Sequence, residues 1–168
     1  AESPYREIQR DVAAALYSLS ISDKNKVAFM EAKALETLVN LAESPDADIR
    51  RNVAGAMYRL AMDKRIKRPF VTKAGVLTPL LTFLASENRD VHRHGIMCLR
   101  ELCESKDNRS DLFEQCGDAP GLLNSVFRLM NNVDPRVRRQ AGATLVALLG
   151  ESHNKIVMLD NGSLPRLV

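Results

Sequence analysis

The 168-residue sequence has no tryptophan, three tyrosines and five phenylalanines. Any core must therefore be built mainly from aliphatic side chains. Long apolar runs are absent as well: no stretch approaches the ~18 residues that read as a membrane span, and the start shows neither a charged-then-apolar leader nor an acylation motif. Direct membrane insertion is not expected. Cysteine is scarce, and Cys98, Cys103 and Cys116 crowd into one segment in odd number, which argues against a disulfide framework and for a reducing compartment. A one-sided charge is also missing. The 24 basic and 21 acidic residues leave a formal charge of +3, too mild to point to nucleic acid without a concentrated basic surface. The cytoplasm is the expected compartment, with any membrane association left to sequence outside this stretch.

No glycine-rich phosphate loop, paired catalytic carboxylates or nucleophile triad can be found, so neither an enzyme nor a cofactor is expected. What is present suits one soluble domain: 45% of the residues are hydrophobic and 27% charged, enough to bury a core at this length. The sequence also repeats. Ile8, Ile49, Val91 and Val137 match, as do Leu19, Leu60, Leu102 and Leu148, at spacings of 41, 42 and 46 residues. Lys33, Gly75, Gly117 and Gly162 mark a second register.

Within a unit the apolar period is helical. Ile8, Val12, Ala15, Leu16 and Leu19 fall on one helical face, as do Ile49, Val53, Ala56, Met57 and Leu60, and both sets read as core. A second helix fits Ala34 to Leu41, Val76 to Leu84 and Gly121 to Met130, preceded by a shorter helical segment such as KNKVAFMEA or IKRPFVTKA. Gly75, Gly117 and Gly162 suit a helix stop that needs positive φ. Pro45 and Pro135 are expected near the first turn of the long helices, where proline costs no helical hydrogen bond, with Asp46 and Asp134 as caps.

Short, medium and long helices in that order resemble the armadillo-repeat family. The matching stretches are ALYSLSISDKNKVAFMEAKALETLVNLAES and NVAGAMYRLAMDKRIKRPFVTKAGVLTPLLTFLAS, with a looser match from Glu87 to Val168. The wording ALYSLSISDKNK is most similar to vacuole-anchoring armadillo proteins and the armadillo regions of plant U-box ligases. The resemblance implies an all-α right-handed solenoid of about four three-helix repeats, with approximate units 3–44, 45–86, 87–132 and 133–168 and the last incomplete. It also implies a fragment of a longer protein, or one that self-associates through uncapped terminal repeats.

On a helical wheel with Ile8 at zero, Arg10, Ala14 and Ser18 fall at roughly 200°, 240° and 280°, away from the core stripe. The equivalent trios are Arg51, Gly55 and Arg59; Arg93, Met97 and Glu101; and Arg139, Ala143 and Ala147. In armadillo proteins the long helices line a concave groove, so the resemblance implies that these twelve residues face it as a peptide-binding surface. Arginine recurs at the first position of every trio. Small residues such as Gly55 would keep the groove floor low. Helices packed roughly 8–10 Å apart would set successive arginines against about every third residue of an extended partner. An acidic or phosphorylated protein segment fits, because arginine forks onto carboxylate or phosphate. Importin-alpha-type grooves carry tryptophan and asparagine at positions matching the last two of each trio; this chain has neither there, which argues against lysine-rich cargo. The expected function is a non-catalytic scaffold or adaptor, or alternatively a substrate-recruiting module of a larger enzyme such as a ubiquitin ligase. The blander expectation is that the arginines are solvated and pair with Glu7, Asp48 or Asp90.

Other features read as structural. Lys64 to Arg68 (KRIKR) falls on a short helix whose charged outer face is ordinary. His92, His94, Cys98 and Cys103 do not converge at zinc-ligand spacing, and no metal is expected. Cys98 aligns with Ala15 and Ala56 as a small core residue, Cys116 lies near a turn, and His153 is expected in a loop. Asn108-Arg109-Ser110 and Asn161-Gly162-Ser163 match the glycosylation sequon, which matters only in a secreted chain. Tyr17 and Tyr58 align beside the groove stripe, either packing between repeats or offering aromatic contacts to a ligand.

Overall fold

The computed structural model describes residues 4–31, 34–72, 75–115 and 121–160. Among them are eleven helices and no strand: α1 Pro4–Ser20, α2 Asp23–Glu31, α3 Ala34–Ala42, α4 Ala47–Ala61, α5 Lys64–Thr72, α6 Leu77–Ala85, α7 Arg89–Leu102, α8 Lys106–Gln115, α9 Gly121–Met130, α10 Pro135–Leu148 and α11 Ser152–Asp160. Two helices of equal described length, 9 or 10 residues, and then one of 14 or 15 recur as α2–α3–α4, α5–α6–α7 and α8–α9–α10; the first two of each set keep the names short and medium, although they do not differ in length. The long helices stack in series, α1 on α4, α4 on α7 and α7 on α10, while the short helices pack α2 to α5 to α8 and the medium ones α3 to α6 to α9. Each kind of helix thus forms its own layer, and α4, α7 and α10 also pack on the medium helix before them.

That last contact makes the core. Ile49, Val53, Ala56, Met57 and Leu60 are fully buried, and so are Val91, Cys98, Leu99 and Leu102 on α7 and Val137, Ala141 and Leu148 on α10. Fully removing a leucine or isoleucine from water stabilises by roughly 1.5–3 kcal/mol, so this repeated apolar stripe dominates the cohesion of the stack. The same stripe on α1 behaves differently from the sequence expectation. Ile8 is 60% exposed, Val12 38% and Leu19 48%. Ala15 is exposed too, and Leu16 is partly buried. The physical reason is the missing neighbour: no described helix stands to α1 as α3 stands to α4.

The loops before the long helices share one design. Asp46, Asn88 and Asp134 are extended N-cap residues whose side chains accept from the backbone two residues on. Their own N–H groups donate to Ser44 Oγ, Ser86 Oγ and Asn132 Oδ1, so two turns are nested ahead of each helix. Pro135 occupies the first turn of α10, whereas Pro45 sits just ahead of the Asp46 cap. Gly75 has φ +65° after α5, the left-handed conformation that stops a helix at low cost in glycine; Gly117 and Gly162 lie outside the described residues. His153 sits in the first turn of α11, not in a loop.

Candidate functional site

The long helices set the candidate site. One helical position reaches back onto the loop in three successive units: Arg50 Nη1 donates to the Ser44 carbonyl at 2.6 Å, His92 Nδ1 lies 3.2 Å from the Ser86 carbonyl oxygen, and Arg138 Nη1 donates to the Asn132 carbonyl at 2.8 Å. These anchors, with the caps, fix the start of each long helix. The following position, occupied by Arg51, Arg93 and Arg139, is thereby held in register on adjacent helices.

The four arginines have different surroundings. Arg10 Nε donates to Asp46 Oδ2 at 2.7 Å, and the Asp46 side chain is only 5% exposed. Arg10 is thus drawn toward the next helix N-terminus rather than toward Glu7. Burial pushes the Asp46 carboxyl upward, but the Ile49 and Asp48 N–H groups and the Arg10 guanidinium outweigh it and hold its pKa below the usual range. Arg51 pairs along its own helix with Asp48 at 2.9 Å, both well exposed, a contact of small energetic value. Arg93 is half-buried and Arg139 exposed, and among the described residues neither makes an ion pair within 4.0 Å.

The remaining members of the trios do not form a uniform floor. Ala14, Ser18 and Ala143 are exposed, while Met97 and Ala147 are partly buried. Gly55 is buried, and a Cβ built there would stand 2.7 Å from Tyr17 Cε2. Its missing side chain is filled by the tyrosine of α1, so Gly55 is a seat for that ring and does not leave space for a partner backbone. Arg59 lies with its guanidinium carbon 5.8 Å from the Tyr17 ring centre, a cation–π geometry. Glu101 turns toward the short-helix layer, where Lys67 Nζ reaches its Oε2 at 3.3 Å and also meets Glu104. Glu101, the last member of the third trio, is thus a paired carboxylate.

Both tyrosines pack between repeats. Tyr58 stacks on His94 with ring centres 6.1 Å apart and 19° between planes. Burial, helped by the Arg93 and Arg59 charges, lowers the His94 pKa against a smaller opposing pull from Asp90. Burial, followed by the Glu101 charge, raises that of Tyr58.

The sequence reading missed the seams between units. Asn25, Asn108 and Asn154 each donate to the carbonyl six residues back, at Leu19, Leu102 and Leu148, the leucines that mark the repeat. In the second unit Ile66 takes that place. Asn108 is fully buried and donates also to the Lys67 carbonyl, so as a sequon it is closed to modification in the folded chain; Asn161 lies outside the described residues. Basic residues of the short helices reach the following unit: Lys67 to Glu104, and Arg109 to Glu151 at 2.7 Å. The spacing was visible, since NK, NR and NK recur six residues after the repeat leucines, yet only tertiary structure shows what they bind.

Lys67 and Arg68 of KRIKR join this seam, while Arg65 pairs locally. Arg65 pairs with Asp63, Lys67 with Glu101 and Glu104, and Arg68 with Asp111. Cys98 and Cys103 are buried free thiols, and burial pushes both upward, Cys103 to about 12. Cys116 lies outside the described residues. His92, His94, Cys98 and Cys103 do not come together, and among the described residues no cluster suited to a metal occurs. No described helix is long and apolar enough to cross a membrane.

Comparison with known proteins agrees with this architecture. Residues 22–62, spanning α2 to α4, match the Armadillo/beta-catenin-like repeat family. No curated protein matches the chain in sequence. Among solved structures, a computationally designed armadillo repeat protein for modular peptide recognition superposes with TM-score 0.84 at 20% identity, covering 99% of this chain and 69% of that one. A designed armadillo repeat protein in complex with the peptide (KR)4 gives 0.80 at 19% identity, covering 99% and 68%. An engineered protein gives 0.80 at 21% identity, covering 95% of this chain and 38% of its own length. Residues 22–62 match the armadillo repeat family by sequence, and the described chain carries the armadillo-repeat fold.

Proposed function

We propose that the protein is a non-catalytic scaffold that binds an extended, acidic or phosphorylated protein segment along the long-helix layer. The observation that carries this reading is the register of Arg51, Arg93 and Arg139 on three successive stacked helices, with Arg93 and Arg139 free of ion pairs among the described residues. Arg59 adds charge to the same face. Arg10 contributes less, because Asp46 already holds it.

Charge sign separates this chain from its structural relative. That designed protein is in complex with (KR)4; here a lysine–arginine peptide would meet arginines and be repelled. An exposed guanidinium presents five donors in a planar fork and binds carboxylate or phosphate through paired hydrogen bonds. The test is binding of acidic and basic peptide libraries at low and moderate salt to the wild type and to the Arg51→Glu, Arg93→Glu double variant. Acidic preference that weakens with salt and disappears in the variant supports the reading. Equal binding by the variant overturns it.

A second reading, self-association through the terminal repeats, is favoured by one observation: Ile8, Leu19 and Val146 are exposed on the two end helices of the long-helix layer, Val146 at 74%. Light scattering at two concentrations tests it. A mass that rises with concentration supports end-to-end pairing, and a constant monomer mass rules it out in that range.

A further inference from the structure

The long-helix face is not uniform in charge along the stack. Beside each ladder arginine, one turn earlier on the same helical face, stands Glu7 on α1, Asp48 on α4, Asp90 on α7 and Arg136 on α10. The residue after each arginine is Asp11, Asn52, His94 and Gln140 in the same order. The first rung is therefore flanked by two acids and tied to Asp46, and the second is closed by Asp48 at 2.9 Å. The third has Asp90 nearby without an ion pair. The fourth combines Arg136 with Arg139, both exposed, and α10 has no acidic residue in its first turn.

Asp134, two residues before Arg136, caps the helix: its Oδ1 accepts from the Arg136 backbone N–H at 2.8 Å, and it makes no ion pair with Arg136 or Arg139 among the described residues. Arg138 is occupied as well, since its Nη1 donates to the Asn132 and Val133 carbonyls. Arg136 and Arg139, three residues apart, project from the same side of α10, and α7 packs alongside, carrying Arg93 at the matching position.

We propose that this end of the face, formed by Arg136 and Arg139 with Arg93 beside them, is a binding site for a phosphorylated residue of an extended protein segment. The proposal rests on the peptide-binding reading above and adds to it the position and chemistry of the strongest contact. A phosphoserine or phosphothreonine carries about −1.5 to −2 charges and three acceptor oxygens at pH 7, which matches the two guanidinium groups of Arg136 and Arg139, without an ion pair among the described residues although Asp90 holds the matching position on α7, better than a single carboxylate does. The rest of the segment would then run from α10 toward α4, past Arg51, which is already paired with Asp48. The bound chain acquires a direction, with its most acidic end at α10.

The experiment uses fluorescein-labelled extended 12-residue peptides containing two glutamates, with serine, glutamate or phosphoserine scanned through each remaining position. Binding to wild type, Arg51→Gln and Arg136→Gln/Arg139→Gln is read by fluorescence anisotropy, with thermal unfolding of each variant as the folding control. The expected result is a gain of at least about tenfold for phosphoserine over serine at positions near one peptide end. That gain should disappear in Arg136→Gln/Arg139→Gln and change less than twofold in Arg51→Gln. Acidic peptides that bind without any phosphoserine gain, or a gain that survives loss of Arg136 and Arg139, would overturn this proposal and leave the scaffold reading standing. If no acidic peptide binds the wild type at all, both fall. Binding of phosphatidylserine vesicles with no gain for any phosphopeptide would likewise overturn it, in favour of a membrane surface.

Discussion

The Tyr17 ring of α1 occupies the space that a side chain on Gly55 of α4 would fill, with Cε2 only 2.7 Å from the place of a Cβ. Successive long helices are keyed together by this contact, and Tyr58 repeats the move onto His94 one unit later. The tyrosines are inter-repeat packing residues first. Gly55, for the same reason, belongs to the packing between α1 and α4.

Three glycines on the long helices are expected to respond differently to alanine, which gains about 1 kcal/mol of helix propensity over glycine. At Gly142 nothing lies within 4 Å of a new Cβ, so Gly142→Ala should stabilise by roughly that amount. At Gly55 the obstruction is the far edge of the Tyr17 ring, which can swing, and Gly55→Ala should be close to neutral. At Gly95 the Cβ would stand 2.8 Å from Phe83 Cβ and 3.4 Å from its backbone carbon; neither can move without the helix, so Gly95→Ala should cost about 2 kcal/mol or more. Urea unfolding of the three variants checks the order.

Asn108 should matter more than Asn25. Both donate to a leucine carbonyl six residues back, but Asn108 is fully buried and bridges to the neighbouring unit through the Lys67 carbonyl, while the Asn25 bond is solvent-exposed. Asn108→Ala is expected to cost about 2–3 kcal/mol, because buried carbonyls lose their donor, and Asn25→Ala under about 1 kcal/mol. Equal losses in chemical denaturation would contradict the seam assignment.

Acid should weaken the start of α5. Arg65 donates to Asp63 through Nε at 3.0 Å and Nη2 at 2.7 Å, and this pairing holds the Asp63 pKa at about 2 against an ordinary 3.8. A depressed folded pKa means that the carboxylate's contribution is complete above the unfolded value and is lost as pH falls from about 4 toward 2. Asp63→Asn should therefore be less stable than wild type at pH 6, with the difference shrinking by pH 2. A difference independent of pH would remove the ion pair from the account.

Thiol labelling gives an independent check on the core. Cys98 and Cys103 are both fully buried and their thiols are pushed up by burial, so Ellman-type reagents should modify neither in the native protein at pH 8 on a timescale of minutes. Mass mapping after labelling should find both modified only once denaturant is added. Rapid native labelling at Cys98 would contradict its place on the buried face of α7.

Much of the fold was legible because it rests on local periodicity. The medium helices, the caps Asp46 and Asp134 and the Gly75 stop each depend on residues within a few positions. The site was less legible because its decisive contacts span about one repeat. Nothing local pairs Arg10 with Asp46, Lys67 with Glu101 or Tyr17 with Gly55, so a helical wheel treats four arginines as equal when tertiary structure makes them unequal. Ile8 and Leu19 show the same limit, since an apolar stripe records what a helix can bury and leaves open whether a neighbour is there to bury it.

The central claim is that the long-helix layer is the working surface. Amide chemical shifts of isotopically labelled protein, titrated with a glutamate-rich 12-residue peptide, test it most directly. The account predicts perturbations along α4, α7 and α10, strongest around Arg93 and Arg139 and weakened by salt. Perturbations confined to the short helices α2, α5 and α8 would contradict it and place binding on the opposite layer.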